Sequence, residues 1–92
     1  MSSKSPHPFT EKQGQYLAFI HTYTLLNRQP PAEADFQRFF GVTPPAVHDM
    51  IVSLERRGLI SRVPRQPRSI QLLVQPGDLP QLQSIDTSVA RY

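Results

Sequence analysis

The stretch that decides the fold runs from Pro30 to Val74 and reads PPAEADFQRFFGVTPPAVHDMIVSLERRGLISRVPRQPRSIQLLV. Apolar residues recur in it at helical spacing twice, which predicts a short helix and a longer one separated by a tight turn. Gly41 and Gly58 stand just past these two helices, where a left-handed residue commonly ends a helix. Apolar and β-branched residues follow, are interrupted by a proline-rich turn, and then resume. This order predicts two helices followed by a β-hairpin.

A further helix precedes this stretch, because Thr10 and Gln13 have the spacing of a capping box and a helical stripe of apolar residues follows them. The fold class is therefore mostly α with a small β-hairpin: a winged helix-turn-helix of three helices and a two-stranded wing. The predicted elements are helices from Thr10 to about Asn27, from about Glu33 to Phe40 and from Pro44 to Gly58, strands at 59–63 and 69–74, and a turn at 64–67. We expect a disordered arm over residues 1–9, the domain over 10–75, and a tail over 76–92.

The tail contains a second capping-box spacing, at Asp78 and Gln81. Leu82, Ile85 and Val89 then lie on one face, which predicts a short C-terminal helix. Its apolar stripe either docks on its own domain or pairs with a second copy, so a homodimer through the tail is one hypothesis. Sedimentation of the full chain and of a chain ending at Gln75 tests it, and a full chain that stays monomeric at high concentration contradicts it.

The composition limits the class of protein. A chain of 92 residues without cysteine is one small domain with no disulfide and no thiolate metal site. The absence of cysteine favours a reducing compartment, and we expect a cytoplasmic protein. The apolar runs are too short to span a bilayer, and the first nine residues do not resemble the core of a signal peptide.

Positive charge is concentrated in one part of the chain. The formal net charge is only +3, but residues 56–68 carry no acid and five arginines: Arg56, Arg57, Arg62, Arg65 and Arg68. A local basic surface of this kind attracts phosphate at long range. The simpler alternative is a basic loop that is merely solvated.

Several short motifs occur in a fixed order along the chain: TEKQ at Thr10–Gln13, QPP at Gln29–Pro31, ADF at Ala34–Phe36, LERRGLI at Leu54–Ile60 and PRSIQLL at Pro67–Leu73. This ordered set resembles the N-terminal DNA-binding domain of the LexA repressor family, and the resemblance covers about residues 9–74. It implies a bacterial transcriptional repressor that binds double-stranded DNA with its third helix in the major groove and its wing on the backbone.

The chain departs from the family pattern in three respects. The segment between Gly41 and Gly58 is about one residue shorter, and Ala32 stands where a capping hydroxyl is usual. The C-terminal half of the family, a self-cleaving Ser/Lys peptidase that also dimerises, has no counterpart in these 92 residues, whose two lysines are Lys4 and Lys12. Cleavage-driven derepression is therefore not expected of this chain alone.

Two groups of residues are predicted to contact DNA. The predicted base-facing residues are Thr43, Pro45, Ala46, His48, Asp49 and Val52. The predicted phosphate contacts are Lys12, Gln13, Arg28, Arg56, Arg62, Arg65 and Arg68. The first two turns of the third helix contain no Arg, Lys, Asn or Gln, the side chains that most often read bases, so direct readout should be modest. Two prolines at its start also remove N–H donors that would otherwise bind phosphate.

No pattern indicates an enzyme. The histidines His7, His21 and His48 lack metal-ligand spacing, and there is neither a glycine-rich phosphate loop nor a nucleophile elbow. We therefore expect no cofactor, metal or small-molecule ligand. The alternative function is a winged-helix module for protein–protein interaction, because Asp49 beside DNA would be repelled by phosphate unless it met a base amine or paired with Arg56 or Arg57.

Overall fold

The structure is a computed structural model that describes residues 9–83. Its elements, in chain order, are α1 (Glu11–Asn27), α2 (Glu33–Phe40), α3 (Pro44–Arg56), β1 (Ile60–Ser61), β2 (Gln71–Leu72) and a 3-10 turn (Pro76–Asp78). This is the predicted winged helix-turn-helix, with α2 and α3 as the helix-turn-helix and β1 and β2 as the wing. None of the helices in residues 9–83 combines the length and apolar character needed to cross a bilayer.

The first helix begins at the predicted capping box. The Gln13 N–H donates to Thr10 Oγ1 over 3.1 Å, and the Thr10 N–H donates to Gln13 Oε1 over 2.9 Å. Two N–H groups that have no partner inside the helix are thereby satisfied. The helix ends at Asn27, as predicted, and Arg28 then takes the left-handed conformation with φ 61°.

The second helix begins without a side-chain cap at Ala32, as the sequence predicts, but Asp35 compensates. Its carboxylate accepts the Ala32 N–H over 2.8 Å, which is half of a capping box. Gly41 ends the helix with φ 67°, and the Val42 N–H donates back to the Gln37 carbonyl over 3.3 Å. The turn to α3 is therefore closed by backbone bonds that a left-handed residue permits.

The third helix is capped by Thr43 and runs to Arg56. Gly58 follows with φ 76°, and the Leu59 N–H reaches the Leu54 carbonyl over 3.0 Å. This bond returns the chain towards the core, because Leu54 and Leu59 are both buried. The predicted helix stop at Gly58 is confirmed, and it sets the direction in which the wing leaves α3.

An aromatic cluster fills the space between α1 and α2. Tyr16 stacks on Phe40 with ring centroids 4.5 Å apart, and Phe19 lies 5.0 Å from Phe36. Val47, Ile51 and Leu54 of α3, together with Ile60 and Ile70 of the wing, complete the buried core. Ring pairs at these separations add to the free energy of burial. The aromatic residues are therefore structural, and they fix α2 against α1.

The wing is shorter than predicted. Its ladder pairs Ile60 with Leu72 and Ser61 with Gln71, two residues a strand, whereas we expected strands of five and six. Towards the tip, hydrogen bonds of the Ser69 side chain take the place of backbone ladder bonds. The Ser69 hydroxyl accepts the Val63 N–H over 2.9 Å and donates to the Gln66 carbonyl over 2.8 Å. A side chain competes with the backbone there, and the flanking prolines cannot donate ladder bonds.

The predicted helix starting at Asp78 does not form in the described residues. A 3-10 turn ends at Asp78, and residues 79–83 belong to no helix or strand. The Gln15 side chain explains this, because its amide donates to the Gln81 carbonyl over 3.0 Å and its carbonyl accepts the Gln83 N–H over 2.9 Å. Those backbone groups are therefore satisfied by a side chain of α1 and not by the backbone bonds of a C-terminal helix.

The packed structure extends past the predicted bounds of 10–75 at both ends. Phe9, Leu79 and Leu82 pack against the core. Leu82 therefore contacts its own domain, which is the first of the two alternatives for the tail. Ile85 and Val89 lie outside the described residues, as does most of the predicted arm over 1–9.

Candidate nucleic-acid interface

One face of α3 is buried and the opposite face is exposed. Val47, Ile51 and Leu54 are fully buried. The predicted base-facing residues lie on the other side: Thr43, Pro45, Ala46, His48 and Asp49 are exposed, and Val52 is half-buried. The structure thus gathers the six on one continuous surface, which we call the α3 face. This surface consists of short side chains and one imidazole.

Residues 44–47, which begin α3, offer no free N–H donor. Pro44 and Pro45 have none, the Ala46 N–H is directed at Thr43 Oγ1 over 3.4 Å, and the Val47 N–H donates to the Thr43 carbonyl over 3.1 Å. Helix N-termini bind phosphate through such N–H groups. This terminus therefore has its dipole but lacks the donors that anchor a phosphate.

Replacing Pro44 with Ser and Pro45 with Ala should strengthen DNA binding, because two N–H donors become available at the helix start. One added phosphate hydrogen bond of about 1 kcal/mol raises affinity by about fivefold. Fluorescence anisotropy with a short duplex at fixed salt measures the change, and circular dichroism checks that the helix content is retained. Pro76→Ala is the matched control for losing a proline elsewhere. Unchanged affinity in a folded double variant would contradict the argument.

Arg68 fastens the wing to the rest of the fold. Its Nη1 donates to the Tyr23 hydroxyl over 3.0 Å and to the Pro30 carbonyl over 3.2 Å, and it lies 3.1 Å from Asp35 Oδ2. Its guanidinium also lies 5.8 Å from the centre of the Tyr23 ring. The hydrogen bond to Tyr23 and the charge of Asp35 raise the pKa of Arg68. We predicted Arg68 as a phosphate contact, and the structure engages its Nη1 within the fold.

Asp35 is the buried centre of this arrangement. Burial alone would raise the pKa of Asp35, but the Ala32 N–H, Arg68, the Tyr23 hydroxyl and Arg38 favour the charged form and bring the pKa below its ordinary value of 3.8. The carboxylate is therefore ionised at neutral pH. Asp35 thus links the start of α2, the end of α1 and the wing.

Arg62 also has acidic partners within the fold. Its Nε donates to Glu55 Oε1 over 3.0 Å, and its Nη1 lies 3.9 Å from Glu33 Oε2. Only 24% of its side chain is exposed. The stretch that has five arginines and no acid in the sequence is thus partly neutralised by acids from α2 and α3. Neither interpretation of the arginine-rich stretch describes it fully, because both a solvated loop and a phosphate-binding wing assume arginines without acidic partners.

Four of the predicted phosphate contacts remain exposed without an ion-pair partner among residues 9–83: Lys12, Arg28, Arg56 and Arg65. Arg65 lies at the tip of the wing with φ 63°. Asp49 also lacks a cation within ion-pair distance in this part of the chain, so the suggested pairing with Arg56 or Arg57 is not seen. The α3 face therefore carries an unbalanced carboxylate.

Gln13 does not fit the predicted role as a phosphate contact. Its side chain is buried, accepts the Thr10 N–H and donates to Ser53 Oγ over 3.3 Å. Both ends of the amide are thus engaged within the fold, and the bond to Ser53 joins the start of α1 to α3. The capping-box spacing that predicts the helix start was the signal for this structural role.

Three residues of this site were not singled out by sequence reasoning. Asp35 and Tyr23 secure Arg68, and Glu33 contacts both His48 and Arg62. Their partners lie far away along the chain, so no spacing in the sequence indicates them. Among residues 9–83, no three His, Asp or Glu side chains converge on a point that could hold a metal ion.

The helix-turn-helix of α2 and α3, with one face of α3 exposed and a two-stranded wing after it, defines the winged helix-turn-helix class of DNA-binding domains. Residues 6–69 match the family model described as the LexA DNA binding domain, and the chain belongs to that family. The predicted resemblance is therefore confirmed.

Individual relatives match over the same region. The chain is 39% identical to the LexA repressor of Thermosipho melanesiensis over 64 residues, which are 70% of this chain and 32% of the relative. It is 36% identical to the LexA repressor of Thermosipho africanus over 67 residues, 73% and 34% of the two chains. For the LexA repressor of Bacillus subtilis the identity is 31% over 81 residues, 87% and 40% of the two chains. The chain thus spans between 32% and 40% of the length of these relatives.

Proposed function

We propose that this chain binds double-stranded DNA as a transcriptional regulator of the repressor type, with the α3 face in the major groove and the wing tip at the backbone. The observation that carries the proposal is the α3 face itself, a continuous exposed surface backed by a fully buried one. The family match and the names of the relatives support a repressor. The cytoplasm is the compartment in which such a regulator would meet its DNA.

The proposed phosphate contacts are the four exposed cations: Lys12, Arg28, Arg56 and Arg65. Each lacks an acidic partner among residues 9–83, so binding a phosphate does not require breaking an existing pair. The α3 face supplies base contacts through small apolar groups and His48. Prolines, Ala46 and the Thr43 methyl suit the methyl group of thymine, and Asp49 can accept from the amino group of cytosine.

Arg65→Ala should weaken binding to every duplex alike, because a phosphate contact carries no sequence information. The plot of log affinity against log salt should become shallower by about 0.9, the value for one lost contact on duplex DNA. Titrations at four salt concentrations measure the slope. Arg65→Lys, which keeps the charge, should retain it. A loss confined to one DNA sequence would contradict the assignment.

The proposed function is tested by selecting duplexes from a random pool at moderate salt and measuring binding across a salt series. A short enriched motif with salt-dependent binding supports the proposal and supplies the operator sequence. Salt-dependent binding without a motif would replace it with a non-specific, architectural role.

The alternative is a protein–protein interaction module, and one observation favours it. Asp49 stands on the α3 face without a cation among residues 9–83, and Arg62 and Arg68 of the wing are already paired. A less basic surface is a poorer match for phosphate and a better one for a protein. Absence of DNA binding even at low salt would discard the first proposal and favour this alternative.

A further inference from the structure

Glu33, in the first turn of α2, lies between the α3 face and the wing. Its Oε2 is 3.4 Å from Nδ1 of His48 and 3.9 Å from Nη1 of Arg62. The carboxylate is 38% exposed and the imidazole 56% exposed, so both reach the solvent-facing edge of the interface. One carboxylate oxygen thus contacts a residue predicted to face bases and a residue of the wing.

The contact determines which ring nitrogen of His48 carries the proton. A neutral imidazole has one donor nitrogen and one acceptor nitrogen, and a hydrogen bond at one of them selects the tautomer. The Glu33 carboxylate can only accept, so it favours the proton on Nδ1. The Nε2 atom is then left as an acceptor.

Arg62 lies near the same carboxylate, but its Nη1 is 3.9 Å from Glu33 Oε2, which is beyond hydrogen-bond distance. The guanidinium is bonded to Glu55 through Nε and turns Nη1 towards Glu33. Glu55 makes no contact with His48 in the described ion pairs, so the two glutamates share Arg62 but differ in their relation to the imidazole. This difference provides a matched pair for experiment.

We propose that Glu33 is a positioning residue for sequence recognition: it fixes His48 with Nε2 as an acceptor, so that His48 reads the amino group of cytosine or adenine and not guanine. In the major groove those two bases present amino donors, whereas guanine presents only acceptors at O6 and N7. The inference rests on the proposed function, since it requires the α3 face to meet base edges. It assigns the choice of base at one position to a residue outside α3.

The tautomer is measured first, without DNA. Long-range proton–nitrogen correlation spectra of the ¹⁵N-labelled full chain distinguish Nδ1–H, Nε2–H and the doubly protonated ring, and the pH is raised until the last is no longer seen. We expect the Nδ1–H form to dominate at His48. It should persist in Glu33→Gln, whose amide oxygen still accepts, and in Glu55→Gln, and it should give way to Nε2–H in Glu33→Ala.

The base preference is measured next, by duplex selection with the wild type, His48→Ala, Glu33→Ala and Glu55→Gln. We expect cytosine or adenine to be preferred about fivefold or more at one position, a factor typical of one good polar base contact. Glu33→Ala and His48→Ala should each lose the preference at that position alone, and the double variant should lose nothing more. Glu55→Gln removes the same charge beside Arg62 and should keep it.

Several results would overturn the inference. The Nε2–H tautomer in the wild type, an unchanged tautomer in Glu33→Ala, or a guanine preference lost in His48→Ala would each do so. An unchanged motif in a folded Glu33→Ala variant would too. If no duplex binds even at low salt, the proposed function fails and base reading fails with it, while the spectra still decide whether Glu33 positions His48.

Discussion

Replacing Asp35 with Ala should lower the free energy of unfolding by about 3 kcal/mol, since it removes the buried acceptor of several partly buried, charge-assisted hydrogen bonds. The Ala32 N–H loses its acceptor, and Arg68 and Arg38 lose their carboxylate. In a chain of this size the melting temperature should fall by on the order of 15 °C. Urea and thermal unfolding followed by circular dichroism measure both quantities.

Asp49→Ala is the matched control, because Asp49 is exposed and has no ion pair among residues 9–83. Its effect on stability should stay within about 0.5 kcal/mol. Similar losses in the two variants would contradict the role of Asp35 as the link between α1, α2 and the wing.

Acid should remove the contribution of Asp35. Its pKa is lower in the folded state than its ordinary value of 3.8, so the stabilisation is fully present above that value and is lost as the pH falls below it. The difference in stability between wild type and Asp35→Ala should therefore be constant from neutral pH to about pH 5 and shrink below about pH 4. A difference independent of pH would show that packing, not charge, is lost in the variant.

Replacing Ala46 with Glu should abolish useful DNA binding, with a fall in affinity of about 100-fold or more. Ala46 is exposed on the α3 face, and a carboxylate there would meet the negative potential of the groove, where like-charge contacts cost several kcal/mol. The stability of the fold should not decrease. The new carboxylate would stand three residues after the Thr43 cap, where it forms a capping box and favours the helix dipole.

Gln75→Glu is the control for adding one negative charge, because Gln75 is exposed and follows the wing. Its affinity should fall only slightly, and the fall should vanish at high salt. Anisotropy titrations of both variants and of the wild type decide the matter. If Ala46→Glu binds as the wild type does while its melting temperature is retained, the α3 face is not the DNA-binding surface.

The helix boundaries could be predicted because they depend on neighbours in sequence. The box at Thr10 and Gln13, the left-handed residues Gly41 and Gly58, and the Thr43 cap each act within one turn of helix. The strand lengths could not be predicted in this way. They depend on Ser69 competing for the backbone groups of the wing tip.

The exposed face of the candidate site was also predictable, since helical periodicity separates buried from exposed positions of α3. The charges around it were not. Arg62 and Arg68 read as free cations in the sequence, but the fold places acids beside them. From the sequence, Gln13 is a polar residue able to contact DNA, but in the fold its side-chain amide is hydrogen-bonded to Thr10 and Ser53.

The sequence by itself therefore determined the class of fold, the ends of the three helices and the family, because these follow from local caps, periodicity and ordered motifs. Only the tertiary structure decided which polar residues remain free to meet a partner. An ion pair or hydrogen bond joins residues that the fold brings together, as Arg68 meets Tyr23 across 45 positions and Gln13 meets Ser53 across 40. Such pairing leaves no periodic trace along the chain, and it separates residues that hold the fold from residues that face a partner.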